Sequence, residues 1–83
     1  MLFRSGDSLV GRLDLKADRQ GGALLVQGAF AEPGVPRADV ANDLAAELNR
    51  MAEWLGLDRV EVRRRGDLAV GLASAVRKYA RRR

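Results

Sequence analysis

The stretch "GRLDLKADRQGGALLVQGAF", residues 11–30, decides the fold. Ahead of the turn, Leu9, Gly11, Leu13 and Leu15 alternate with Val10, Arg12, Asp14 and Lys16. A period of two places each set on its own face and marks a half-buried strand over residues 9–16. "ADRQGG" has the aspartate and glycine content of a hairpin turn, with Gly21 and Gly22 both able to take positive φ. The return strand, residues 23–30, puts Leu24, Val26, Gly28 and Phe30 on one face and Leu25, Gln27 and Ala29 on the other. A lone hairpin is marginal in water, so this one needs further strands or a covering helix.

The rest of the chain supplies both. "AEPGVPRAD" is a loop with two prolines and a glycine. Val40, Leu44, Leu48, Met51 and Leu55 then recur every three or four residues, predicting a helix over 37–55 with Trp54 at the edge of its apolar stripe. Asp39 is the expected N-cap, with Asn42 as the alternative, and Gly56 followed by Leu57 is the expected left-handed C-terminus. Val60 and Val62 alternate with Arg59, Glu61 and Arg63 as a short third strand. Asp67 is placed to cap a second helix carrying Leu68, Leu72, Ala75, Val76 and Tyr79. The expected fold is α+β: a two-layer β-β-α-β-α domain whose three-stranded sheet is built on the N-terminal hairpin, with both helices on one face.

Composition narrows the function. The 83 residues contain neither cysteine nor histidine, which removes thiolate chemistry, the commonest metal ligand and the usual general base. No metal, cofactor or small-molecule ligand is expected, and no apolar run is long enough to span a membrane. A cytoplasmic location fits the lack of cysteine. For catalysis, Asp14 and Asp18 are the available carboxylates, one on a solvated strand face and one in a turn, while Ser5, Ser8 and Ser74 have no evident base. Asp39, Asn42 and Asp43 in a first helical turn could hold a cation, but favourable charge at the positive end of a helix dipole explains them more simply. "RGD" at residues 65–67 fits a cap better than an adhesion motif.

Charge is the strongest signal. Residues 1–58 hold six Lys/Arg against nine Asp/Glu, whereas residues 59–83 hold nine against two, so a net −3 is joined to a net +7. The candidate nucleic-acid-binding residues are Arg63, Arg64 and Arg65 before the second helix and Arg77, Lys78, Arg81, Arg82 and Arg83 at its end. Such residues contact phosphates in a salt-sensitive, sequence-independent way; the second group also suits the negative end of a helix dipole. Tyr79 is the one aromatic residue nearby, too few for a base-stacking platform.

"GDSLVGRLDLKADRQGGALLVQGAFAEPGV", "ANDLAAELNRMAEWLGLDRVEV" and "RGDLA" closely resemble the C-terminal region of the winged-helix DNA glycosylases of the YcaQ/AlkZ type, the crosslink-repair DNA glycosylases. The resemblance runs from about Gly6 to Leu72. It implies a bacterial, monofunctional base-excision enzyme that hydrolyses the N-glycosidic bond of alkylated or crosslinked purines on tandem winged helices. The family's catalytic residues lie in an upstream Gln-x-Gln or Gln-x-Asp motif. Here Gln20 and Gln27, in a turn and a strand, do not fit that motif, so no catalytic residue carries over. The resemblance therefore implies a non-catalytic C-terminal domain or fragment at residues 6–80, followed by a basic tail at 81–83. Its partners would be upstream winged-helix domains of the same parent and, through phosphates, duplex DNA. "LFRS" has no counterpart in the family, and residues 1–5 are expected to be a non-native leader. Val10 and Leu25, expected to be exposed on the hairpin's second face, would mark a contact with the missing domains. The alternative is a stand-alone interaction module that dimerises through the face or edge of its hairpin and binds no DNA.

Overall fold

The computed structural model describes residues 2–5 and 8–81, with side chains from Leu9 to Tyr79. Strands β1 (Leu2–Ser5), β2 (Ser8–Asp18) and β3 (Ala23–Ala31) are followed by helix α1 (Arg37–Trp54), strand β4 (Arg59–Val62) and helix α2 (Ala69–Arg81). The α+β class and the hairpin hold. The sheet is larger than the expected three strands: its order is β1-β2-β3-β4, because residues 2–5, expected outside the domain, pair antiparallel with β2. β4 joins the other side of the hairpin, parallel to β3. Both edges of the hairpin are thereby occupied, and the open edges of the sheet belong to β1 and β4.

The hairpin departs from simple alternation at one residue. Asp14 pairs with Gly28 and Leu15 with Val26, so Gln27 is an extra residue on β3 with no partner on β2. Such a bulge reverses the facing of everything beyond it. Leu24 and Val26 point into the core as expected, but Ala29 takes the next inward position and is fully buried. Gly28 and Phe30, expected beside Leu24, lie on the opposite face instead, where the Arg12 guanidinium stands 5.1 Å from the Phe30 ring centre. The supposed exposed contact is also absent. Val10 packs against the core and Leu25 is 9% exposed.

Both helices cover the face carrying Leu13, Leu24, Val26 and Ala29, and with them bury Leu44, Leu48, Leu68 and Leu72. Since β3 and β4 are parallel, α1 returns antiparallel to them, and α2 does so again after β4. The two helices therefore run side by side in the same direction. They approach closely because small residues face each other: a methyl group added to Gly71 would lie 3.8 Å from the Ala41 side chain, and Ala45 and Ala75 line one groove further along.

Helix ends show where the sequence reading fails and where it holds. Pro36 occupies the N-cap of α1 without a side-chain hydrogen bond, so Asp39 is a first-turn acid rather than the cap. A proline fits there because it brings no further N–H to satisfy. At the other end, Leu57 N–H donates to Ala52 O at 2.8 Å and Gly56 N–H to Glu53 O at 3.1 Å. With Gly56 at φ +75, this is the Schellman arrangement expected from "Gly-Leu". In the hairpin turn only Gly22 of the glycine pair takes positive φ; Gly21 N–H instead donates to Asp18 Oδ1 at 3.1 Å. Trp54 is exposed rather than at the margin of the core.

Candidate nucleic-acid interface

The segment from Arg63 to Leu68 is not a free loop. It is laced along the last part of β3. Arg63 N–H donates to Val26 O at 2.9 Å, Ala29 N–H to Arg65 O at 2.9 Å, and Leu68 N–H to Ala29 O at 3.1 Å. Ala31 N–H completes the series by donating to Asp67 Oδ1 at 2.8 Å. Between the first two bonds, Arg65 N–H turns back onto Arg63 O at 2.8 Å, a tight turn centred on Arg64. That turn lies opposite the bulge at Gln27, so each chain accommodates its extra length where the other does.

This geometry corrects the reading of Asp67. α2 begins at Ala69, and the Asp67 carboxylate serves β3 and Arg37, 3.5 Å away, instead of capping the helix. The Arg37 pair is largely solvated and contributes little. The bond to Ala31 N–H matters more, because it closes the strap at its far end.

Gly66 makes the strap possible. Its φ is +99, and a Cβ there would sit 2.0 Å from Ala29 O. Only glycine supplies that conformation and lets the two backbones approach so closely.

The strap presents Arg63, Arg64 and Arg65 as three consecutive exposed cations. Among the described residues none of the three has an ion-pair partner. The cations that do are elsewhere: Arg37 with Asp67, Arg50 with Glu47, and Arg59 with Glu61. The three arginines line an open cleft of about 720 Å³ with Asp14, Leu15 and Gln27. The sequence singled out the arginines but not Gln27 as their neighbour. The available signal was a polar Gln-Gly step inside an otherwise apolar strand, a common mark of a bulge.

The second basic group does not form one patch with the first. Arg77 shares a groove with Arg63 at the edge of β4, whereas Lys78 faces α1 beside Asn42 and Tyr79. Arg81 ends α2 with its side chain outside the described residues, as are Arg82 and Arg83 altogether. The carboxylates considered for catalysis are dispersed: Asp14 lines the arginine cleft and Asp18 closes the hairpin turn. Among the described residues no cluster of three or more acidic side chains forms a metal site. No helix of those residues is long and apolar enough to cross a membrane.

Three planar guanidinium groups on a tethered backbone can engage successive anionic oxygens without the further cost of ordering a loop, since the backbone is already fixed. Comparison of the chain with models of known protein families, with curated proteins and with solved structures finds no match.

Proposed function

We propose that this chain is a non-catalytic domain of a DNA-repair glycosylase-like protein that contacts the phosphate backbone of duplex DNA through Arg63, Arg64 and Arg65. The observation that carries the reading is the hydrogen-bonded strap holding those arginines exposed, without ion-pair partners among the described residues. The resemblance to winged-helix DNA glycosylases supplies the setting. Upstream winged helices would hold the lesion and the catalytic glutamines, and this domain would brace them and add phosphate contacts. A cytoplasmic, DNA-associated location goes with it. Arg77, Lys78 and the terminal arginines would strengthen attraction to DNA without sharing the strap's geometry.

The test is fluorescence anisotropy with a labelled duplex over a range of salt concentrations. Three phosphate contacts give a slope of about −2.7 in log K against log salt. Replacing Arg63, Arg64 and Arg65 with alanine should weaken binding equally across DNA sequences and make the slope shallower by about 2.7. Unchanged binding by the triple variant would eliminate the assignment.

A further inference from the structure

We infer that the open edge of β4 is a docking groove for an extended acidic peptide segment from another protein, which adds to the sheet as a further strand. The backbone geometry comes first. Arg59 N–H donates to Gly22 O at 3.2 Å and Arg63 N–H to Val26 O at 2.9 Å. In a parallel pair alternate residues turn their backbone groups toward the same neighbour. Arg59, Glu61 and Arg63 therefore face β3, and the N–H and C=O groups of Val60 and Val62 face outward along the free edge.

Beside that edge runs a groove of about 450 Å³ between β4 and α2, lined by Val60, Val62, Ala73, Val76, Arg63 and Arg77, among others. Its inner wall is apolar: Val60 and Val62 are partly buried against the core and Val76 belongs to it. An added strand would place every second side chain against this wall. Its backbone would satisfy the outward groups of Val60 and Val62.

Charge selects the occupant. Glu61 is paired with Arg59 at 3.1 Å, so the groove's uncompensated charges are those of Arg63 and Arg77, which have no ion-pair partner among the described residues. Two copies of the chain meeting edge to edge would bring together two grooves of the same net positive charge, which disfavours a homodimer here. A segment alternating apolar and acidic residues fits both the wall and the cations. This inference stands apart from the DNA reading, which depends on Arg64 and Arg65 as well as Arg63.

The probe is a fluorescein-labelled, end-capped octapeptide alternating isoleucine and glutamate, titrated with the full chain. We expect saturable binding that is weakened at least about tenfold by Arg77→Glu. Val62→Pro removes an outward-facing donor together with part of the apolar wall and should abolish binding, with circular dichroism checking that the fold is kept. Amide chemical-shift changes should concentrate on residues 59–63 and 73–77. Equal binding of the corresponding isoleucine–lysine peptide would overturn the proposal, as would an unaffected Arg77→Glu variant. Edge-dependent dimerisation in sedimentation, abolished by Val62→Pro, would assign the groove to a second copy and overturn it too. Displacement of the peptide by duplex DNA in an Arg64→Ala/Arg65→Ala variant would give the groove to nucleic acid instead. Loss of DNA binding in that variant with peptide binding intact supports both assignments separately.

Discussion

Replacing Gly66 with alanine, and separately Gly34 with alanine, adds the same methyl group at two positive-φ positions with opposite surroundings. At Gly34, φ is +84 and nothing lies within 4 Å of the added carbon, so the cost is conformational, about 1–2 kcal/mol. At Gly66 a similar conformational cost, about 1–2 kcal/mol, is joined by a Cβ placed 2.0 Å from Ala29 O. That approach is impossible, so the strap must lift from β3. Lifting it strains or breaks the bonds Ala29 makes with Arg65 and Leu68, and then the one between Ala31 and Asp67, each worth about 1 kcal/mol net. The sum is about 4–5 kcal/mol, a large part of the total stability of a domain this size. It corresponds to a fall in Tm of about 16–40 °C. Thermal and urea unfolding followed by far-ultraviolet circular dichroism measure both variants in the same buffer. If Gly66→Ala costs no more than Gly34→Ala, the close approach of the two backbones is wrong, and the fixed presentation of the arginines falls with it.

Asp67→Ala should cost about 1–2 kcal/mol by removing the acceptor for Ala31 N–H, whereas Arg37→Ala should stay within about 0.5 kcal/mol because its ion pair is solvated; urea denaturation separates them. Leu48→Ala, at a fully buried position, should cost about 2–5 kcal/mol in the same assay. Deleting Gln27 would make the register of β2 and β3 continuous and leave Ala29 inward and Phe30 outward, so the variant should still unfold cooperatively in urea, whereas a one-residue shift of the observed facing would abolish the transition. Asp14→Asn should tighten DNA binding in low salt, since the carboxylate lines the arginine cleft; weaker binding would place the phosphates elsewhere. Trp54 is 84% exposed, so its emission should barely shift on unfolding.

Periodicity made the core strands and both helices legible, because Leu13, Val26, Leu44, Leu48 and Leu72 lie where spacing alone puts them. It failed where one residue changed the count. Gln27 sends Ala29 inward and Phe30 outward, and local alternation contains no term for a bulge fixed by a segment more than thirty positions later. The aspartates were misread for a related reason. Asp39 and Asp67 have the chemistry of helix caps, but Pro36 starts α1 one turn earlier than Asp39 allows, and Ala31 N–H, distant in sequence, claims Asp67. In the candidate site, the arginines were evident from charge. Their division was not, because the rotation of α2 against α1 and β4 is what sends Arg77 to one groove and Lys78 to another.

The parallel pairing of β3 with β4 also orders the events of folding. The β2–β3 hairpin and α1 close through neighbouring residues, while β4 reaches β3 only after the chain has travelled the length of α1 and back. Loop-closure entropy delays such distant pairings, so the strap is expected to lock after the transition state. Changes at Gly66 or Asp67 should then accelerate unfolding and leave the refolding rate nearly unchanged. Stopped-flow measurements over a range of urea concentrations would show this as a raised unfolding arm beside an unmoved folding arm. A chain of this kind would release its arginines before its core, with hydrogen exchange at Ala29 and Ala31 reporting that first opening.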